Sequence, residues 1–228
     1  MKGSSIKEIN GKFKILGGFY MCGRFCLDAH IEDIVRTYGI YNKKIDKFDR
    51  GDFYPTNTAP IVLENGVRAI SLAKWGFSIK KKKAVVINAR AETIMEKPMF
   101  KDSFYSNRCI IPANLFYEWK DEGKRKKIKY EIGLKDSPLI SLAGIYKVSV
   151  DKNLDEQLIF AIITTEANET MKSIHSRMPL IIEDDMVDTW LRRNTPVEDL
   201  KRILKTEMDG KLVIKRSENE NFEQLRMF

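Results

Sequence analysis

The chain predicts an α+β fold, mostly antiparallel sheet with flanking helices, and three observations carry the prediction. Asn65-Gly66 sits between the apolar runs Ile61-Val62-Leu63 and Val67-Arg68-Ala69-Ile70, the pattern of a β-hairpin closed by a tight turn. Strand-like segments then follow one another with few helices between them, which argues against a doubly wound parallel sheet. The helical periods lie near the two ends of the chain. A length of 228 residues suits one domain with a proper core.

The elements read in order as follows. Met1 to Tyr20 carry four lysines and one glutamate, with Gly11, Gly17 and Gly18 among them and no amphipathic period. Residues 1–21 are therefore expected to be a disordered or removable leader and 22–228 the domain. Gly17-Gly18-Phe19-Tyr20 can be encoded by GGAGGT followed by T-rich codons, a ribosome-binding site translated in error. A start at Met21 is the preferred expectation, with autolytic removal of a short leader second. Ile31, Ile34, Val35 and Tyr38 recur at helical spacing and give a short helix over 30–39. After the Asn65-Gly66 hairpin, strands are expected at 84–89, 107–111, 115–120, 128–134, 139–148 and 157–164, with Asp121-Glu122-Gly123 as a second hairpin turn. Helices are expected at 167–174 and 184–192. A third opens at Thr195-Pro196-Val197-Glu198, where Thr caps, Pro takes the first turn and Glu completes a capping box.

Composition excludes several classes. No apolar run approaches the length of a membrane span. Ile15 to Tyr20 is too short for a secretory signal and lacks a small-residue cleavage site, and Met21 replaces the small residue a lipoprotein site needs before its cysteine. Three cysteines (Cys22, Cys26 and Cys109) are too few for a disulfide framework and suit a reducing cytoplasm. The net charge is +8, of which the leader supplies +3 and the remainder +5. That balance is compatible with a polyanionic partner without establishing one. Lys80-Lys81-Lys82-Lys83 and Lys124-Arg125-Lys126-Lys127 read as solvated loops rather than DNA contacts.

The chemistry begins at Met21-Cys22. A cysteine behind a methionine becomes N-terminal once that methionine is removed, and then holds an α-amine and a thiol on adjacent carbons. Together these can trap an aldehyde as a five-membered thiazolidine. Alone, Cys22 reads as an ordinary buried thiol. Its company changes that reading: Met21-Cys22-Gly23-Arg24-Phe25, Asn57-Thr58-Ala59-Pro60, Ile87-Asn88-Ala89-Arg90-Ala91-Glu92-Thr93, Phe116-Tyr117-Glu118-Trp119-Lys120 and Ile174-His175-Ser176-Arg177-Met178-Pro179 follow in one order. This set resembles the SRAP family (SOS response-associated peptidases), also called abasic-site processing proteins. Lys74-Trp75-Gly76-Phe77 and Arg108-Cys109-Ile110-Ile111-Pro112-Ala113 fit as well, so the resemblance runs from Met21 to about Leu191. The departure is the leader, because an attached leader leaves Cys22 with an amide in place of an amine.

The resemblance implies a single domain of curved, barrel-like antiparallel sheets. It implies a protein that binds abasic sites in single-stranded DNA, single/double-strand junctions included, and captures the open aldehyde through Cys22 as a thiazolidine during the DNA damage (SOS) response. Self-processing that exposes Cys22 and an abasic-site lyase side activity belong to the same expectation. So do a monomeric state and a cytoplasmic location, on the nucleoid when damaged DNA is bound. No cofactor and no metal are required. His175 takes the general acid/base role. Glu118 binds the Cys22 amine and relays its proton, with a raised pKa if the site is dry. Asn88 holds the sugar or the forming ring by hydrogen bonds. Arg24, Arg90 and Arg177 take phosphate through their planar forks, Trp75 and Phe77 stack on flanking bases or wedge against a duplex edge, with core packing as the alternative for both, and Pro60 joins the DNA-binding set. Trp119 and Trp190 read as core.

Two readings of other classes stand beside this one. Cys22-x3-Cys26-x3-His30 suggests metal binding, but the spacing matches no common zinc pattern and His30 reads as a helix-start residue. A cysteine peptidase with Cys22 as nucleophile and His175 as base is the second. A non-covalent DNA binder would retain DNA after Cys22→Ser but never give a denaturation-resistant adduct.

Overall fold

The computed structural model describes residues 5–9, 12–16, 22–43, 45–79, 84–123, 126–150, 154–206 and 208–217. At the centre is a closed barrel. Thr58–Asn65 pairs with Val67–Trp75, which pairs with Glu156–Glu166, then Ile140–Val150, then Arg108–Ala113, which returns to Thr58–Asn65. All these contacts are antiparallel except Ile159↔Lys74 and Phe160↔Trp75, the parallel pairs that close the ring. Closure pairs the two ends of the sheet with each other, which is how a barrel limits edge-to-edge association. Asn88–Arg90 and Arg177–Pro179 both attach to Glu156–Glu166, the first parallel and the second antiparallel.

A second sheet is wholly antiparallel, in the order Leu212–Arg216, Lys127–Leu134, Leu115–Asp121, Phe25–Leu27, Gly51–Phe53. It is joined to the barrel by aromatic packing. Phe25 stacks on Phe53 at 5.1 Å and leans on Trp75 at 5.3 Å, while Trp75 stacks on Phe160 at 6.0 Å. Burying rings of this size contributes about 1.5–3 kcal/mol each, enough to fix the short strand that follows Cys22. In a third sheet Phe77–Ile79 pairs with Ala84–Val86, and Ser5–Lys7 pairs on the other side of Ala84–Val86. Within the leader, the backbones of Ser5–Ile9 and Lys12–Leu16 pair antiparallel; Met21 lies outside the described residues.

The Asn65-Gly66 hairpin forms as expected, with Gly66 at φ 75° and Asn65 opposite Val67. The helix near 30–39 spans Ile31–Thr37. The strand expected over 84–89 breaks at Ile87, whose carbonyl accepts Trp75 Nε1–H at 3.0 Å and the Ile162 N–H at 3.0 Å; Ala84–Val86 and Asn88–Arg90 therefore enter different sheets. The helices after the barrel are shorter than their sequence periods: Glu169–Lys172, capped by the Asn168 side chain, and Val187–Leu191 behind a 3-10 turn at Asp184–Met186. The expected capping box at Thr195 does not form. Pro196 is the N-cap of Val197–Ile203, and the Thr195 hydroxyl instead donates to the Arg192 carbonyl at 2.8 Å, closing the preceding helix.

Arg108, in the wall of the barrel, is a structural arginine. Its guanidinium donates to the carbonyls of Trp190, Phe104, Tyr105, Arg192 and Arg193, and burial pulls its pKa down to about 10. It satisfies the open carbonyl ends of two helices at once.

Candidate active site at Cys22

Pairing of Leu115↔Cys26 and Phe116↔Phe25 runs the strand after Cys22 alongside Leu115–Asp121, and the Tyr117 N–H continues the contact to the Arg24 carbonyl at 3.0 Å. One step further, the Cys22 main-chain N–H donates to Glu118 Oε1 at 2.5 Å. Cys22 is fully buried and holds φ 41°, a left-handed conformation that costs a non-glycine residue about 1–2 kcal/mol. Glu118 is 1% exposed. Burial pushes its carboxyl up to about 8, against the pull of the Cys22 and Trp119 N–H groups and the Lys127 charge. Burial likewise raises the Cys22 thiol, and the Glu118 charge adds to it. A buried carboxyl with its pKa raised toward neutrality thus accepts the hydrogen bond of the Cys22 main-chain N–H.

His175 follows the Glu169–Lys172 helix and is half-buried, its N–H tied to the Met171 carbonyl at 3.0 Å. The Arg177 N–H donates to His175 Nδ1 at 3.1 Å, and the Arg177 carbonyl lies 3.3 Å from the same nitrogen. One residue therefore offers that nitrogen both a donor and an acceptor. With Nδ1 accepting, Nε2 carries the proton; with Nδ1–H donating, Nε2 is free as a base. Burial pulls the imidazole below its ordinary value; the Lys127 and Arg177 charges act in the same direction, against the raising effect of the Arg177 hydrogen bond. Lys127 acts on both Glu118 and His175, so carboxyl and imidazole share one electrostatic neighbourhood.

Arg177 then links His175 to the Asn88-to-Glu92 segment. Its two Nη atoms grip both oxygens of Glu92, and Nη2 also donates to the Thr164 carbonyl at 2.8 Å. Thr164 is the residue paired with Arg90, and the Arg90 charge acts on Glu92 as well. Asn88 is buried two residues before Arg90, opposite Ile162. Arg24 is buried too. It is ion-paired with Asp52 and held between the rings of Tyr54 and Tyr117, 4.8 and 4.7 Å from their centroids, while the Tyr117 hydroxyl donates to Asp52 at 2.8 Å.

The aromatic residues expected to stack on bases are elsewhere. Trp75 is 1% exposed and Phe77 0%, because both rings are consumed by the core. Trp75 has the packing given above, and Phe77 lies against Phe100 at 6.0 Å with Lys147 Nζ over its ring. Pro60 is buried in the barrel wall opposite Leu72. Trp190 is buried as expected, but Trp119 is only half-buried, its ring 6.5 Å from that of Tyr117 on the strand face opposite Glu118. Sequence reasoning missed Asp52, Tyr54 and Lys127. Glu92 and Tyr117 lay inside quoted motifs without a role. Cys26 sits with Asp52 and Tyr117, and His30 faces Arg50. Among the described residues no group of three or more His, Cys, Asp or Glu is arranged to hold a metal ion, and no helix is long and apolar enough to cross a membrane.

With this geometry in place, comparison with known proteins decides the family. Residues 21–219 match the family described as SOS response associated peptidase (SRAP). The chain belongs to the SRAP family. It is 37% identical to the abasic site processing protein YoqW of Bacillus subtilis over 198 residues, covering 81% of this chain and 86% of that protein. Against the abasic site processing protein YedK of Escherichia coli it is 27% identical over 195 residues, covering 80% and 85%. A crystal structure of a Bacteroides thetaiotaomicron protein superimposes with a TM-score of 0.76 at 26% identity, covering 87% of this chain and 93% of that one. The family match begins at Met21, so residues 1–20 lie ahead of it.

Proposed function

We propose that this chain captures abasic sites in single-stranded DNA through Cys22, forming a thiazolidine and shielding the lesion. The observation that carries the reading is the Glu118 carboxyl on the Cys22 nitrogen. Once residues 1–21 are gone, that nitrogen is an α-amine with an ordinary pKa of about 7.7–8.0, and Glu118 takes its proton. The neutral amine attacks the aldehyde carbon; the carbinolamine loses water to give an imine. The thiol then adds across the C=N bond, its proton passing to nitrogen, so that one water leaves overall. His175 moves protons as the sugar opens and the hydroxyl departs, and the paired donor and acceptor of Arg177 suit both states of its ring. Asn88 holds the sugar, and Arg24, Arg90 and Arg177 take the phosphates, which fixes a strand without reading its sequence. Interception of the imine by β-elimination would give the lyase side reaction.

Self-processing is supported by a separate observation. The φ of Cys22 is defined through its bond to residue 21, so cutting that bond releases the left-handed strain.

The test mixes protein beginning at Cys22 with single-stranded DNA carrying one abasic site and resolves the products on a denaturing gel. A shifted band that needs both the abasic site and Cys22, and is absent with the leader attached, supports capture. No shifted band, with Cys22 verified as N-terminal by mass spectrometry, rejects it in favour of a self-processing peptidase or a passive DNA binder.

A further inference from the structure

Arg177 does not wait for its phosphate with an empty hand. Both its Nη atoms are on the two oxygens of Glu92, in the parallel fork geometry that a guanidinium also forms with a phosphate. The Arg177 side chain is 12% exposed and that of Glu92 42%, so the carboxylate covers the guanidinium from the solvent side. A phosphate reaching the same two nitrogens must displace it. Arg24 is occupied by Asp52 in a comparable way.

We propose that Glu92 is a specificity-determining residue: it fills the phosphate seat of Arg177 in the DNA-free protein and yields it only to a strand held by other means, which keeps undamaged single strands weakly bound. The proposal rests on reading Arg177 as a phosphate contact. Non-specific binding to nucleic acid comes almost entirely from phosphate neutralisation. If each phosphate gained costs an internal ion pair, the net gain is small, and a carboxylate left nearby repels the strand. A captured lesion is unaffected by this competition, because a covalent bond holds it.

The fold also gives the displaced carboxylate somewhere to go. Glu92 lines a cavity of about 650 Å³ whose wall carries Lys172, Lys201 and Lys205. Glu166, Glu169 and Asp209 line it as well, and Lys172 and Lys201 have Glu169 and Glu198 as partners, so the cavity is a mixed-charge recess able to exchange ion pairs.

The test measures binding of undamaged oligothymidylate to the full chain by fluorescence anisotropy across a salt series, for the unaltered protein, Glu92→Gln, Arg177→Ala and the double variant, with thermal melts of each. The expected result is roughly fivefold tighter binding by Glu92→Gln, with the log–log salt slope steeper by about 0.7. Arg177→Ala weakens binding, and Glu92→Gln adds nothing in its background. Should Glu92→Gln bind no tighter while Arg177→Ala weakens binding, the competitor role falls and the phosphate contact stands. An equal gain in both backgrounds reduces the effect to overall charge and overturns the proposal. If Arg177→Ala binds as the unaltered protein does, the phosphate-contact reading itself fails. Glu92→Ala replaces the glutamine variant if the melts show that it does not fold.

Discussion

Cys22 and Cys109 are both fully buried thiols, and burial raises the pKa of each, yet they occupy opposite chemical settings. Around Cys109 the barrel wall closes tightly. It pairs with Gly144 and Leu63, and a Cβ on Gly144 would stand 3.0 Å from its sulfur and 2.3 Å from Ile111 Cδ1, so any side chain there would force the Ile111 tip to move. Burial is the sole cause of its shift. Around Cys22 a buried carboxyl meets the main-chain nitrogen, and the charge of that carboxyl acts on the thiol. Its backbone is left-handed where that of a strand residue such as Cys109 is extended. Burial and a raised thiol pKa therefore do not mark a functional cysteine. What separates the two is a proton acceptor on the nitrogen beside the sulfur.

The sharpest way to break this comparison is to exchange each thiol for a hydroxyl. In protein beginning at Cys22, Cys22→Ser abolishes the denaturation-resistant adduct. Cys109→Ser retains it, but leaves a hydroxyl in an apolar wall at a cost of about 1–3 kcal/mol, which a melt reads as a fall of about 2–4 °C per kcal/mol. Loss of the adduct in folded Cys109→Ser would erase the distinction.

Next in size is Glu118→Gln, which keeps the shape of the side chain and removes its acid–base function. Adduct formation slows by about 10²–10⁴. The same variant has a stability signature in the chain that carries its leader. Glu118 titrates near 8 when folded, well above its ordinary 4.5, so the folded state holds a proton that the unfolded state has lost between those values. Stability falls as pH rises through that window and levels off above it. Denaturant titrations across that range should show the decline in the unaltered chain and a flatter profile in Glu118→Gln; parallel profiles would place the carboxyl outside the dry site.

His175→Gln gives the smallest of the three effects on rate, about a hundredfold. With the imidazole pulled below 6.5, the unaltered protein should bend in its pH–rate profile on the acid side of that value, and the variant should lack the bend. Single-turnover gels over a pH series read it directly. An unchanged bend would assign it to another group.

Much of this arrangement was legible where the signal was local. Asn65-Gly66 specified its own turn, and the period of Ile31, Ile34 and Val35 specified its helix. Phe25–Leu27, Gly51–Phe53 and Arg177–Pro179 are three residues each, too short to show a period. The break at Ile87 depends on donors from Trp75 and Ile162, which only tertiary packing brings together. For the site, motif order named Cys22, Asn88, Glu118, His175 and Arg177, but it carried no information on exposure. Trp75 and Phe77 went to the core, and Trp119 is only half-buried. Lys127 looked like part of a solvated basic run, and only the fold brings its charge to bear on Glu118 and His175. Asp52 and Glu92 became visible as partners of Arg24 and Arg177 once distant segments met.

The most direct test of covalent capture is mass spectrometry of the adduct, formed without borohydride from protein beginning at Cys22 and digested with protease and nuclease. The account predicts a deoxyribose remnant on the peptide that begins with Cys22, joined with loss of one water and stable through the work-up. A sugar found on a lysine, or an adduct that survives only after borohydride reduction, would contradict it.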